Sequence, residues 1–265
     1  MKRSRTEELK LLFALEAGKE SDELAIGSGG AQVQPRRGFL DPVTALQKIV
    51  ETMLTLGIDA TFTENRRLLS ADNLVKNVEK KGGWGRIETG QLVFQYGVVS
   101  SYEHCFITVQ EREPHAARVW DEWLTPFVDR SDFVQGWLSD VEYDYWQNAK
   151  DPLEYEVAGR DFSRLPMKSN GLPPPLQRLE IDTSNNPGRW TLKPGYVEAV
   201  GSVMWLSDLF WDRVGHARRS EALAANWART RQLACGSIEI RVLEACFNSE
   251  ETADVQNRLR ELLYR

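Results

Sequence analysis

LQRLEIDTSNNPGRWTLKPGYVEAVGSVMWLSDLFW, Leu176 to Trp211, is the stretch whose reading decides the fold. It opens by alternating, with Leu179 and Ile181 on one side of a strand and Arg178, Glu180 and Asp182 on the other. Ser184-Asn185-Asn186-Pro187-Gly188 then breaks the run. Pro187 fixes φ for a turn, Gly188 allows positive φ, and the two Asn tolerate left-handed backbone. Beyond Pro194-Gly195, the residues Val200, Val203, Met204, Trp205, Leu206, Leu209, Phe210 and Trp211 carry more apolar bulk than a surface holds. The stretch therefore predicts a turn-linked piece of core scaffold and no active site.

Working outward, 265 residues suffice for one large domain or two small ones. The hydrophobic share of 42% and charged share of 27% are those of an ordinary folded chain. A formal charge of −6 argues against a protein that binds nucleic acid by neutralising phosphates, and suits a neutral or basic partner. No apolar run reaches the roughly 18 residues of a membrane span. The basic start Met1 to Arg5 is followed at once by Thr6-Glu7-Glu8, and Leu11 to Leu15 is short for a secretory core, so a cytoplasmic location is expected. Cys105, Cys235 and Cys246 show no CxxC spacing, and buried thiols are expected in place of disulfides or zinc.

Residues 6–17 read as a short amphipathic helix through Leu9, Leu12 and Phe13, followed by a polar, Gly-rich linker to residue 38. Residues 39–265 form the main body, with a subdivision near 130. Asp41-Pro42 starts a helix that Gly57 ends, Ile58 to Thr63 alternates as a strand, and Ser70 caps a second helix closed by Gly82-Gly83. Strands follow over Gly90 to Val99 and His104 to Glu111, then a helix over Ala116 to Val128. Further on, strands are expected at Ser139 to Trp146, Leu153 to Val157 and Ser237 to Cys246, with helices at Ser220 to Leu233 and after Ser249. Strands bunched with helices outside them predict an α+β fold, its mostly antiparallel sheet flanked by helices, in two loosely similar halves.

One polar feature stands out. On a strand, Asp140, Glu142 and Asp144 share a face opposite Val141, Tyr143 and Tyr145. Asp151, Glu154 and Glu156 extend it. The plain reading is a solvated face; the sharper one is a docking surface for a basic partner such as a nuclease, in which acids imitate phosphates and steer association. Catalytic constellations are missing by comparison. His104, His115 and His216 lack metal-ligand spacing, and His104 and Cys105 point to opposite faces of one strand. Neither Gly27-Ser28-Gly29-Gly30 nor Gly82-Gly83-Trp84-Gly85 has the spacing of a phosphate loop. Arg213, Arg218, Arg219, Arg229 and Arg231 lack the interleaved aromatics of a nucleic-acid patch and read as a solvated helix face. No cofactor and no metal are expected.

Asp182-Thr183-Ser184-Asn185-Asn186-Pro187-Gly188-Arg189, Tyr196-Val197-Glu198, Gly201 to Leu206 and Phe210-Trp211 together resemble immunity proteins of bacterial polymorphic-toxin and type VI secretion systems, of the TsiT-like type that counters a restriction-endonuclease-type nuclease. The resemblance covers residues 40–265 in layout and is specific only in the central stretch. It implies a non-enzymatic protein that binds a cognate toxin in the cytoplasm and blocks it, touching neither nucleic acid nor membrane. Two other readings stay open: an enzyme whose site is gathered from scattered residues, and a self-assembling scaffold or homodimer that exchanges residues 6–17.

Overall fold

The computed structural model describes residues 5–15, 39–64 and 66–265. Its first element overturns the helix expected over 6–17. Glu7–Ala14 is a strand, β1, hydrogen-bonded on both sides. With period two, Leu9, Leu11 and Phe13 pack into one core cluster and Leu12 into another, all four buried. A short apolar run fits either period. Here the two flanking strands supply backbone partners that override the helical preference of Glu, Leu and Lys. The linker expected over 18–38 lies outside the described residues.

The first half continues with α1 (Pro42–Thr55), β2 (Thr61–Glu64), β3 (Arg67–Ser70), α2 (Ala71–Lys81), β4 (Arg86–Glu88), β5 (Leu92–Val99), β6 (His104–Glu111) and α3 (Trp120–Val128). The second comprises β7 (Phe133–Asp140), α4 (Val141–Asn148), α5 (Pro152–Val157), β8 (Met167–Ser169), β9 (Leu179–Ile181), β10 (Thr191–Lys193), β11 (Tyr196–Glu198) and β12 (Val203–Leu206). It closes with α6 (Asp208–Val214), α7 (His216–Ala224), β13 (Arg229–Gln232), β14 (Ile238–Arg241) and α8 (Ala253–Tyr264). The expected helix starts hold. The Asp41 carboxylate accepts the N–H groups of Val43 and Thr44, and Ser70 accepts that of Asn73.

Ten strands form one sheet in the order β13-β14-β12-β7-β1-β6-β5-β4-β2-β3, antiparallel at every pairing. The fold is thus α+β with a large antiparallel sheet flanked by helices. β1 is its seam, joining β6 of the first half to β7 of the second. Helices α1 to α3 contribute to the cluster on one face, with Trp123 and Phe127 at its centre. Helices α6 to α8 cover the other through Phe210, Trp211, Ala222, Leu259 and Leu263. The bulk quoted from the central stretch is core: Val203, Met204, Trp205, Leu206, Phe210 and Trp211 are all buried. No helix among the described residues is long and apolar enough to cross a membrane.

Several expectations are corrected. The strand expected at Ser139 to Trp146 is the last two residues of β7 followed by α4, because Asp140 accepts the Tyr143 N–H at 2.8 Å and caps a helix. Leu153 to Val157 is helical for the same reason, capped by Asp151 with Pro152 in the first turn. The helix expected to Leu233 stops at Ala224, and Arg229–Gln232 pairs with β14. Cys235 is exposed, whereas Cys105 and Cys246 are buried free thiols.

Gly201 is hemmed in by backbone. A Cβ there would lie 2.6 Å from the Leu138 carbonyl oxygen and 3.1 Å from the Leu138 nitrogen, both backbone atoms of β7. Gly201→Ala is expected to cost about 3 kcal/mol, the upper end for overpacking, because no rotamer change relieves it. Urea unfolding checks this; a midpoint shift of under a tenth of the wild-type value would mean β7 yields.

Candidate functional site

Between β7 and β12 the chain leaves the sheet and builds a separate arm, residues 141–190, around a small cluster of Ala149, Tyr155 and Ile181 with Trp146 and Phe162 against it. Aromatic edges hold it together: Trp146 meets Tyr155 at 4.8 Å and Tyr145 at 4.9 Å between ring centres. The quoted turn is its clasp. Gln147 accepts the Gly188 N–H through Oε1 at 2.8 Å, and its backbone carbonyl accepts from Asn186 Nδ2 at 2.9 Å. From α8, the guanidinium of Arg260 donates to the carbonyls of Pro187 and Arg189. Burial, with Arg189 beside it, lowers Arg260 to about 10, so it remains cationic at neutral pH. The Ser184 to Arg189 signature is therefore structural.

Three hollows open on this arm, and Trp146 lines all of them. The first, about 490 Å³, is bounded by Arg5, Asp140, Glu142, Arg160 and Glu250. The second, about 370 Å³, is bounded by Tyr155, Arg160, Asp161, Leu165 and Asp182. The third, about 570 Å³, is bounded by Tyr145, Asp151, Leu153, Glu154 and Val157. Among the described residues that line them, seven carboxylates face two guanidinium groups, those of Arg5 and Arg160. The described residues lining them include no His, Cys or Lys.

The expected acidic row is dispersed by the helix. Residues two apart on a strand share a face, but on a helix they stand about 200° apart. Asp140 caps α4 at the edge of the first hollow, where burial raises its carboxyl despite the Tyr143 N–H and Arg5. Glu142 reaches that hollow from solvent and pairs with Arg160 at 3.5 Å. Asp144 turns away to Lys10 of β1 at 2.6 Å, which pins α4 to the seam strand. Asp151 caps α5 and pairs with Arg178 at 3.1 Å. Glu154 lines the third hollow, and Glu156 stands exposed on α5 outside all three. Asp140 with Glu142, and Asp151 with Glu154, are thus brought to either side of Trp146, while Asp144 serves the scaffold.

Sequence reasoning missed the apolar part. Among the described residues fifteen large apolar side chains are exposed, and nine of them fall within residues 145–190, about a sixth of the chain. On α5, Leu153 and Val157 are 60% and 82% exposed. Their i, i+4 spacing behind Asp151-Pro152 was a legible signal of one helix face. Tyr145 stands beside them at 48%. Leu172, Leu176 and Leu179 are exposed farther along the arm. A concentration of this kind marks a contact surface more often than chance.

The five arginines of residues 213–231 do not form a patch. They are divided among α6, α7 and β13, and are held by Asp208, Glu239, Glu244 and the carbonyls of Leu209 and Glu261. His104 is buried against the Tyr102 carbonyl on β6, and burial lowers its basicity. Among the described residues no group of three His, Cys, Asp or Glu side chains is placed to hold a metal.

No protein-family model matches the sequence, and no curated protein does. Among solved structures, the fold is similar to that of the Pseudomonas aeruginosa T6SS protein PA0821, at 12% identity and a TM-score of 0.48, over 98% of this chain and 74% of that one.

Proposed function

We propose that this chain is a non-enzymatic immunity-type protein that captures a cognate toxin domain, a basic nuclease, on the arm of residues 141–190. The observation that carries the reading is the concentration of exposed apolar side chains on that arm, ringed by carboxylates and hollowed around Trp146. An apolar centre with a charged rim is the usual anatomy of a protein interface. The excess of acid over base in the hollows suits a partner whose own surface binds phosphates. The resemblance in the central stretch points the same way, and a toxin acting inside the cell would be met in the cytoplasm.

The test is co-expression with candidate nuclease toxin domains, scoring growth rescue and then co-purification. Charge reversal maps the surface. Asp140 and Asp144 are unsuitable, since one caps α4 and the other partners Lys10. Glu142, Glu154 and Glu156 are exposed. The variant Glu142→Lys, Glu154→Lys, Glu156→Lys is expected to fold normally yet associate about 10- to 100-fold more slowly at low salt, with the difference fading as salt rises. An association rate equal to wild type at every salt concentration would remove the acidic rim from the interface.

A further inference from the structure

We propose that the cleft at Trp146 is a binding site for an arginine side chain of the partner, and that Arg160 occupies it in the unbound protein as a tethered substitute. This rests on the arm being the partner-binding face. The Arg160 guanidinium carbon lies 4.3 Å from the centre of the Trp146 ring, and its Nη2 lies 3.5 Å from Glu142 Oε1. A planar cation over an indole with a carboxylate at its edge is a geometry that suits arginine and that lysine does not reproduce.

The intramolecular contact is replaceable. Glu142 and Arg160 side chains are 57% and 44% exposed, and 3.5 Å is long for a charge-assisted bond. Arg160 follows Gly159, whose φ is +66°, just past the end of α5. The side chain forms a common wall of the first and second hollows. When it swings out, both open onto Trp146 with Asp161, Asp182 and Glu250 around the space, and with Leu165, Pro166 and Ile181 to cover an incoming side chain's methylenes. A second guanidinium cannot enter while the first remains, since the two would face each other. Arg160 therefore competes with the partner and sets a threshold that only a well-placed arginine overcomes.

Hexa-arginine and hexa-lysine peptides, titrated calorimetrically into the intact protein, test this without the toxin. Wild type is expected to bind hexa-arginine more tightly than hexa-lysine. Arg160→Ala is expected to tighten hexa-arginine binding about tenfold, with a smaller gain for hexa-lysine. Adding Glu142→Gln to that variant should remove most of the gain. Arg178→Ala deletes another exposed cation of the same arm, paired with Asp151, and should leave the arginine preference unchanged. Hexa-arginine binding that is unchanged or weaker in Arg160→Ala overturns the proposal. So does an equal gain for both peptides, which is the general effect of deleting one positive charge. Because the peptide result does not depend on the toxin, the cleft and the immunity reading fail separately.

Discussion

A chain beginning at Leu40 is expected to be insoluble or to show no cooperative melt. The reason lies in the position of β1, between β6 and β7 at the middle of the ten-stranded sheet. Removing it leaves two new unpaired strand edges facing each other across a gap, in a region covered on both sides by helices. It also strips Leu9, Leu11, Leu12 and Phe13 from the two core clusters, each of them no more than 2% exposed. At roughly 1.5–3 kcal/mol per buried apolar side chain, the loss approaches the whole stability of about 5–15 kcal/mol usual for a folded domain. The site is lost as well, since Arg5 and Thr6 line the first hollow and Thr6 accepts the Val141 N–H that begins α4. Soluble yield, far-UV circular dichroism and a thermal melt decide the matter. A truncated chain with a melt close to wild type would mean that β6 and β7 close up on each other and β1 is dispensable. Supplying residues 1–39 as a separate peptide is expected to restore folding in part, because the ladder that seats the strand is made with the main chains of β6 and β7.

Lys10→Ala is expected to cost roughly 3 kcal/mol, the low end for removing one partner of a largely desolvated pair. Lys10 sits on β1 with Asp144 at 2.6 Å and Glu8 at 3.2 Å, and all three side chains are at most 17% exposed. Its ammonium also lies 5.9 Å from the Trp137 ring. Without it two carboxylates share a poorly solvated space. The pH dependence follows from the shifts in the intact protein. Burial lowers Lys10, but Glu8 and Asp144 outweigh it and hold the ammonium above its ordinary range. Its contribution is therefore complete below its unfolded value, about 10.4, and disappears only as pH rises through the higher folded value. Burial raises Glu8 against the pull of Lys10, so its contribution is complete below its unfolded value, about 4.3, and is lost as pH climbs through the folded one. Deleting Lys10 removes that pull and raises Glu8 further. The stability deficit of Lys10→Ala is thus greatest at neutral and mildly alkaline pH and shrinks as pH falls toward about 4.5. Melting curves of both proteins across that range test this, and a deficit independent of pH would mean that the cost is lost packing of the lysine stem. Double substitution with Asp144→Asn is expected to recover part of the loss.

What the sequence determined was whatever local chemistry specifies alone. Asp41-Pro42 and Ser70 place helix starts because the capping bond is made within four residues. β6 ends at the residues its alternation marks, His104 and Glu111. The apolar load of Val203 to Trp211 has to be core whatever surrounds it. Asp151-Pro152 carried the same start signal as Asp41-Pro42, and its helix was legible too, had alternation not competed with it. The arm with the acidic residues was likewise visible as unusual, although the carboxylates were assigned to one face that a helix does not have. Only the tertiary structure decided that Glu7 to Ala14 is a strand, since eight residues with both periods in them are fixed by the partners they pair with, and those lie about a hundred residues away. Tertiary contact also separated Asp144 from Glu142, because Lys10 arrives from the far end of the chain. It likewise placed Arg160 over Trp146, the residue that lines all three hollows. A capping bond is local and can be read from neighbours; a cleft is built from residues that only packing brings together.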